Sequence, residues 1–134
     1  EVISAKNGDR CNSAFNGCTM LVSVQLNEGL RSIGCHAFES CTSLESIVVP
    51  FTVKYIGIGA FPFCTQLANV ELNVGLESID NFAFEGCKSL VHFVVPPSVS
   101  EIRPGLLGDC TKLVNVDLNE GLEKISTMAF DCRK

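Results

Sequence analysis

Hydrophobic and polar positions in this chain hold one phase from near the first residue to near the last. Phe15, Phe38, Phe61, Phe84 and Phe130 fall on a 23-residue period, with Leu107 in the vacant place. Leu21, Leu44, Leu67, Leu90 and Leu113 keep the same period, as do Ile33, Ile56, Ile79, Ile102 and Ile125. Each period contains two alternating stretches. The first, Leu-x-x-(Val/Ile/Phe)-x-(Leu/Val), as in Leu21-Val22-Ser23-Val24-Gln25-Leu26, has the two-residue alternation of a short strand with one buried face. The second, such as Gly29-Leu30-Arg31-Ser32-Ile33, predicts another extended piece. A turn follows, then an inward Ala-Phe pair and x-x-Cys lead to the next strand. One such unit cannot bury its apolar face alone. The units are therefore expected to stack as a solenoid, each Leu, Phe and Ile about 4.8 Å from its equivalent.

The predicted organisation is a single domain over 1–134, with five repeats over 14–128. Residues 1–13 form a degenerate N-terminal cap or partial repeat, and 129–134 a truncated sixth repeat, which suggests a piece of a longer protein. A second period of 46 residues lies over the first. LNEGL, LNVGL and LNEGL occupy 26–30, 72–76 and 118–122, whereas VPFTV and VPPSV occupy 49–53 and 95–99. Asn-x-Gly suits a turn with positive φ, and Pro fixes φ without offering a donor, so two turn solutions alternate along one edge.

The combined pattern, Ala-Phe-x-Gly-Cys-x-x-Leu with Val-Pro-x-(Ser/Thr)-Val-x-x-Ile-Gly, resembles the BspA-like, or Treponema-type, leucine-rich repeats over about residues 13 to 132. Leu106-Leu107 in place of Ala-Phe and Arg103-Pro104 after Ile102 depart from that pattern. The expected fold is a β-rich leucine-rich-repeat solenoid with a parallel concave sheet and short strands, turns or 3-10 pieces on the convex side. The resemblance implies a secreted or cell-surface protein that binds or adheres to other proteins, host or cell-surface ones included.

Composition narrows the partner. The net charge is −5 and no basic run occurs, which argues against nucleic acid and anionic membranes, since both require clustered Lys and Arg. No apolar run reaches the length of a membrane span.

Candidate chemistry is sparse. Cys18, Cys41, Cys64, Cys87 and Cys110 keep the 23-residue period and Cys132 falls one residue early. One Cys per repeat lacks the paired spacing of a zinc site, so these six are read as a structural column of small apolar residues. A hydroxyl in that column, as in Cys64→Ser, is expected to cost about 1 to 3 kcal/mol. Cys11 and Cys35 lie outside the column. Stacking places them one rung apart, within disulfide reach, and such a bridge would fit an oxidising compartment; two unrelated thiols are the alternative.

His36 and His92, the only histidines, occupy different phases and have no nucleophile in a triad arrangement. No catalytic residue, cofactor or metal is expected, and a hydrolase is only a remote alternative. The surface fit for recognition is the outward side of the first strand. Its positions are Ser23, Gln25 and Asn27, then Ser46, Val48 and Pro50, then Asn69, Glu71 and Asn73, then His92, Val94 and Pro96, then Asn115, Asp117 and Asn119. Gln25, Val48, Glu71, His92, Val94 and Asp117 are the candidate protein-binding residues. An ordinary solvated sheet is the plain structural reading of the same rows. The competing functional reading is a structural spacer or self-assembling segment of a larger surface protein, associating through the solenoid ends. Phe51, Phe63, Phe82 and Met128 are large apolar residues where their repeat equivalents are small or polar, and either cover local gaps or mark contacts.

Overall fold

The computed structural model describes residues 13–131 and the backbone of Val2–Ile3. Regular structure among the described residues is entirely β. A first strand, β1 (Val2–Ile3), is followed by five pairs. These are β2 (Gln25–Leu26) and β3 (Ser32–Ile33), β4 (Ser46–Val48) and β5 (Tyr55–Ile56), and β6 (Asn69–Glu71) and β7 (Ser78–Ile79). Then come β8 (His92–Val94) and β9 (Glu101–Ile102), and β10 (Asn115–Asp117) and β11 (Lys124–Ile125). Each pair holds one strand from each alternating stretch, so the chain winds as a parallel β-solenoid of 23 residues per turn. The segments between strands are turns; neither helix nor 3-10 structure occurs among the described residues.

Pairing always joins residues one period apart, as in Ser46 with Asn69, Ile33 with Ile56 and His92 with Asn115. Like residues therefore stack on like. Leu44, Leu67 and Leu90 form one fully buried column and Ile56, Ile79 and Ile102 another. The rings of Phe15, Phe38, Phe61 and Phe84 stack in series, with centroids 5.4, 5.1 and 5.2 Å apart and nearly parallel planes.

The edge carrying these rings is the most regular part of the molecule. The amides of Phe15, Phe38, Phe61 and Phe84 donate to the carbonyls of Ala37, Ala60, Ala83 and Leu106, one turn further along, at 2.7 to 3.0 Å. Each turn also holds two left-handed residues. Ser13, His36, Gly59, Phe82, Gly105 and Met128 form one such column and Gly17, Ser40, Phe63, Gly86 and Asp109 the other, all with φ between +51° and +76°. A bulky side chain is tolerated there when the next rung offers glycine. Phe63 lies over Gly86, where an added Cβ would come within 2.6 Å of the ring, and Phe82 covers Gly105 in the same way. The sequence outliers Phe63 and Phe82 thus cover gaps.

The alternating turns on the opposite edge brace one another. Asn73 Nδ2 donates to the carbonyls of Pro50 and Val53 at 2.6 and 3.0 Å, and Asn119 Nδ2 to those of Pro96 and Val99 at 2.6 and 2.9 Å. An Asn-type turn therefore locks the Pro-type turn beneath it. At the reverse junctions a single hydroxyl reaches down, Thr52 to Leu30 and Ser98 to Val74. Pairing in the first ladder follows this 46-residue alternation: among the described residues β4 pairs with β6 and β8 with β10, but β2 does not pair with β4, nor β6 with β8. In the second ladder β3, β5 and β7 pair in series and β7 does not pair with β9, so between the third and fourth units neither ladder is joined. At that seam the stack is held by the turn edge, where Phe61 and Phe63 donate to Ala83 and Glu85 at 2.7 and 2.6 Å. Arg103 adds an ion pair with Asp80 at 3.6 Å.

Candidate protein-recognition face

Alternation in the first strands decides what faces outward. In β4 Ile47 is buried while Val48 is exposed, and in β8 Phe93 is buried between exposed His92 and Val94. All six expected recognition residues, Gln25, Val48, Glu71, His92, Val94 and Asp117, are solvent-exposed. Strand register sets their neighbours. Val48 stands opposite Glu71, and Val94 opposite Asp117. Each exposed valine, 57% and 50% accessible, thus sits beside a carboxylate.

His92 is tied into this row. Its Nδ1 is 3.0 Å from Asn115 Nδ2, and its Nε2 is 3.4 Å from Asp117 Oδ2. Gln25 and Val48 line one shallow cleft of about 540 Å³ with Glu28 and Pro50. Among the described residues neither β2 and β4 nor β6 and β8 pair, so the row falls into three parts, Gln25, then Val48 with Glu71, then His92, Val94 and Asp117.

Several sequence expectations need correction. Asn27, Asn73 and Asn119 are not free surface amides. Asn73 and Asn119 brace the Pro turns, while Asn27 and Asn73 accept from the amides of Gly29 and Gly75 at 3.0 and 2.8 Å. Pro96 is buried outright. The sequence reading also left out the next column, Glu28, Phe51, Val74, Pro97 and Glu120, all of it exposed. Phe51 and Val74 are 67% and 75% accessible. The 23-residue period would have revealed this column had it been followed one residue past the Asn/Pro positions.

Four cysteines of the expected column, Cys41, Cys64, Cys87 and Cys110, are buried, and they do more than pack. The thiols of Cys41, Cys64, Cys87 and Cys110 donate to the carbonyls of Phe15, Phe38, Phe61 and Phe84 at 3.1 to 3.3 Å. Each carbonyl belongs to the turn below, so the thiols form a second ladder beside the rings. Burial pushes the Cys64 thiol up to about 12 and raises Cys41 and Cys87 as well, with neighbouring thiols adding to the effect. Such thiols are poor nucleophiles and poor metal ligands. Cys18 is half-buried and Cys132 lies outside the described residues. Cys35 is a buried free thiol; its expected partner Cys11 also lies outside the described residues. No group of side chains that could hold a metal occurs among the described residues. His36 bonds Glu39 at 2.9 Å and packs over Gly59, away from any nucleophile.

Parallel strands, a 23-residue turn and an asparagine-braced edge define a leucine-rich-repeat solenoid. The chain belongs to the BspA-type leucine-rich repeat family, whose six-copy repeat model matches residues 11–113 and 32–134. It is similar to a leucine-rich cell surface protein of Faecalibacterium prausnitzii, with 33% identity and a TM-score of 0.78 over 83% of this chain and 30% of that one. It is also similar to the leucine-rich repeat protein of T. pallidum, with 32% identity and a TM-score of 0.78 over 98% of this chain and 59% of that one. A leucine-rich repeat protein of Eubacterium ventriosum, 23% identical, shares the fold with a TM-score of 0.65 over 96% of this chain and 40% of that one. The chain thus spans less than two thirds of these relatives. A comparison with curated proteins finds no match.

Proposed function

We propose that this chain is a non-enzymatic protein-binding module of a secreted or cell-surface protein, and that the first-strand face is its recognition surface. The observation that carries this is the register of Val48 against Glu71 and of Val94 against Asp117. Half-exposed valines beside carboxylates, held in rows by a stacked backbone, give the apolar centre and polar rim in which interfaces concentrate their energy. Solenoids in general use such extended faces for contact. The name of the F. prausnitzii relative supports a surface address.

The test is capture of partners from a surface fraction of the source cells, with the Val48→Glu, Val94→Glu double variant as control. Specific capture by the native chain, lost in the double variant, supports the face. Equal capture by both removes it and leaves the spacer reading. A Cys11–Cys35 bridge would bear on the address. Intact mass before and after reduction, with peptide mapping of protein made in an oxidising compartment, tests for it.

A further inference from the structure

Charge on the solenoid is sorted by ladder. The first strands and their flanks, residues 22–28, 45–51, 68–74, 91–97 and 114–120, contain Glu28, Glu45, Glu71, Asp117 and Glu120 and not one Lys or Arg. All five carboxylate residues are exposed. The second ladder is mixed, with exposed Arg31, Lys54 and Lys124 among Glu77 and Glu123. There Lys124 pairs with Glu101 at 3.7 Å. Among the described residues the first-strand carboxylates have no such cationic neighbour save His92 beside Asp117.

The same face is apolar between its charges. Phe51, Val74 and Pro97 follow one another along the stack as an exposed ridge, bounded at either end of the column by Glu28 and Glu120. Val48 and Val94 lie on the other side of the Asn/Pro column, in a column where Glu71 separates them and Asp117 follows. Successive rungs are about 4.8 Å apart, so a segment laid along the stack meets an apolar group and a carboxylate in turn.

We infer that the occupant of this face is an extended, cationic protein segment in which Lys or Arg alternates with apolar side chains. The inference rests on the recognition reading proposed above and adds the chemistry of the partner. Uncompensated carboxylates on a low-charge, partly apolar surface attract a cationic chain and repel an acidic one, which sets both encounter rate and selectivity. Apolar side chains of the segment would cover the ridge and the two valines, where desolvation strengthens the adjacent ion pairs.

Two synthetic 12-residue probes of the same Val and Phe content test this, one with Lys and one with Glu at alternate positions. Binding is measured by calorimetry at physiological salt and at higher salt. The Lys probe is expected to bind and the Glu probe not, with affinity falling as salt rises. Glu71→Gln with Asp117→Asn, and separately Val48→Thr with Val94→Thr, should each weaken the Lys probe about tenfold. Glu77→Gln with Glu123→Gln, on the second ladder, should leave it unchanged. Binding of the Glu probe, lost in the valine pair, would overturn the cationic partner but keep the face. Binding of the Lys probe that ignores both face variants, or no binding of either probe, would overturn both.

Discussion

Along the turn edge, amide bonds and thiols repeat from rung to rung, and the phenylalanine rings stack from Phe15 to Phe84 before Leu107 takes the ring's place, the junction of the third and fourth units included. Along the first-strand face, pairing stops at that same junction, as it does between β2 and β4, and the exposed side chains change character with every rung. The two regions share one backbone and one period, so the difference comes from what each rung asks of its side chains. On the turn edge every rung must satisfy the same buried carbonyl and fill the same space. Repetition is therefore enforced there. On the strand face the pleat sends alternate residues into water, where nothing in the stack constrains them. The fold is held where the sequence repeats, and the exposed face is free to vary where it does not.

The comparison breaks first at the rings. Phe61 has no exposed surface and stacks on both Phe38 and Phe84. Phe61→Ala is expected to cost about 3 to 5 kcal/mol, read as a lowered urea midpoint. Substitutions of the edge braces should be smaller and unequal. Asn73→Ala leaves the carbonyl of Val53 without the amide that caps it and weakens the cap on Pro50, which should cost about 1 to 3 kcal/mol. Ser98→Ala removes one exposed bond to Val74 and should cost less than about 0.5 kcal/mol. Equal losses would mean that the 46-residue alternation has no energetic counterpart.

The thiol ladder sharpens the same contrast. Cys64→Ala removes both volume and the bond to Phe38, an expected loss of about 1 to 2 kcal/mol. Cys64→Ser keeps a donor aimed at that carbonyl, so it should cost less than the alanine, below the penalty expected for a hydroxyl without a partner. A serine variant less stable than the alanine variant would show that the thiol acts by packing alone.

Leu, Phe, Ile and Cys columns were legible because burial at a fixed phase leaves a repeated apolar letter. The six candidate recognition residues were legible as exposed positions for the complementary reason, the alternation of the pleat. The Asn column was misread because Asn on a strand flank looks the same whether it faces water or reaches down to a Pro turn. Only the three-dimensional offset between Asn73 and Pro50 separates the two. The thiol bonds were hidden because Cys among Leu and Phe reads as a small apolar residue. Phe63 and Phe82 stood out, and their column mates Gly17, Gly59, Gly86 and Gly105 carried the clue to a left-handed turn. The seam between β6 and β8, like the unpaired β2 and β4, falls where an Asn-type unit precedes a Pro-type one, but the alternation in sequence does not say which junctions lose their pairing.

The most telling effect is a small one. A fourfold variant, Val48→Thr, Glu71→Gln, Val94→Thr and Asp117→Asn, changes the chemistry of the first-strand face while keeping side-chain shape and strand preference. If the turn edge holds the stack and the face is left for recognition, its urea midpoint should correspond to a loss of no more than about 1 kcal/mol, as for scattered surface changes. A loss approaching that of Phe61→Ala would contradict the account, because it would make the face part of what holds the solenoid together.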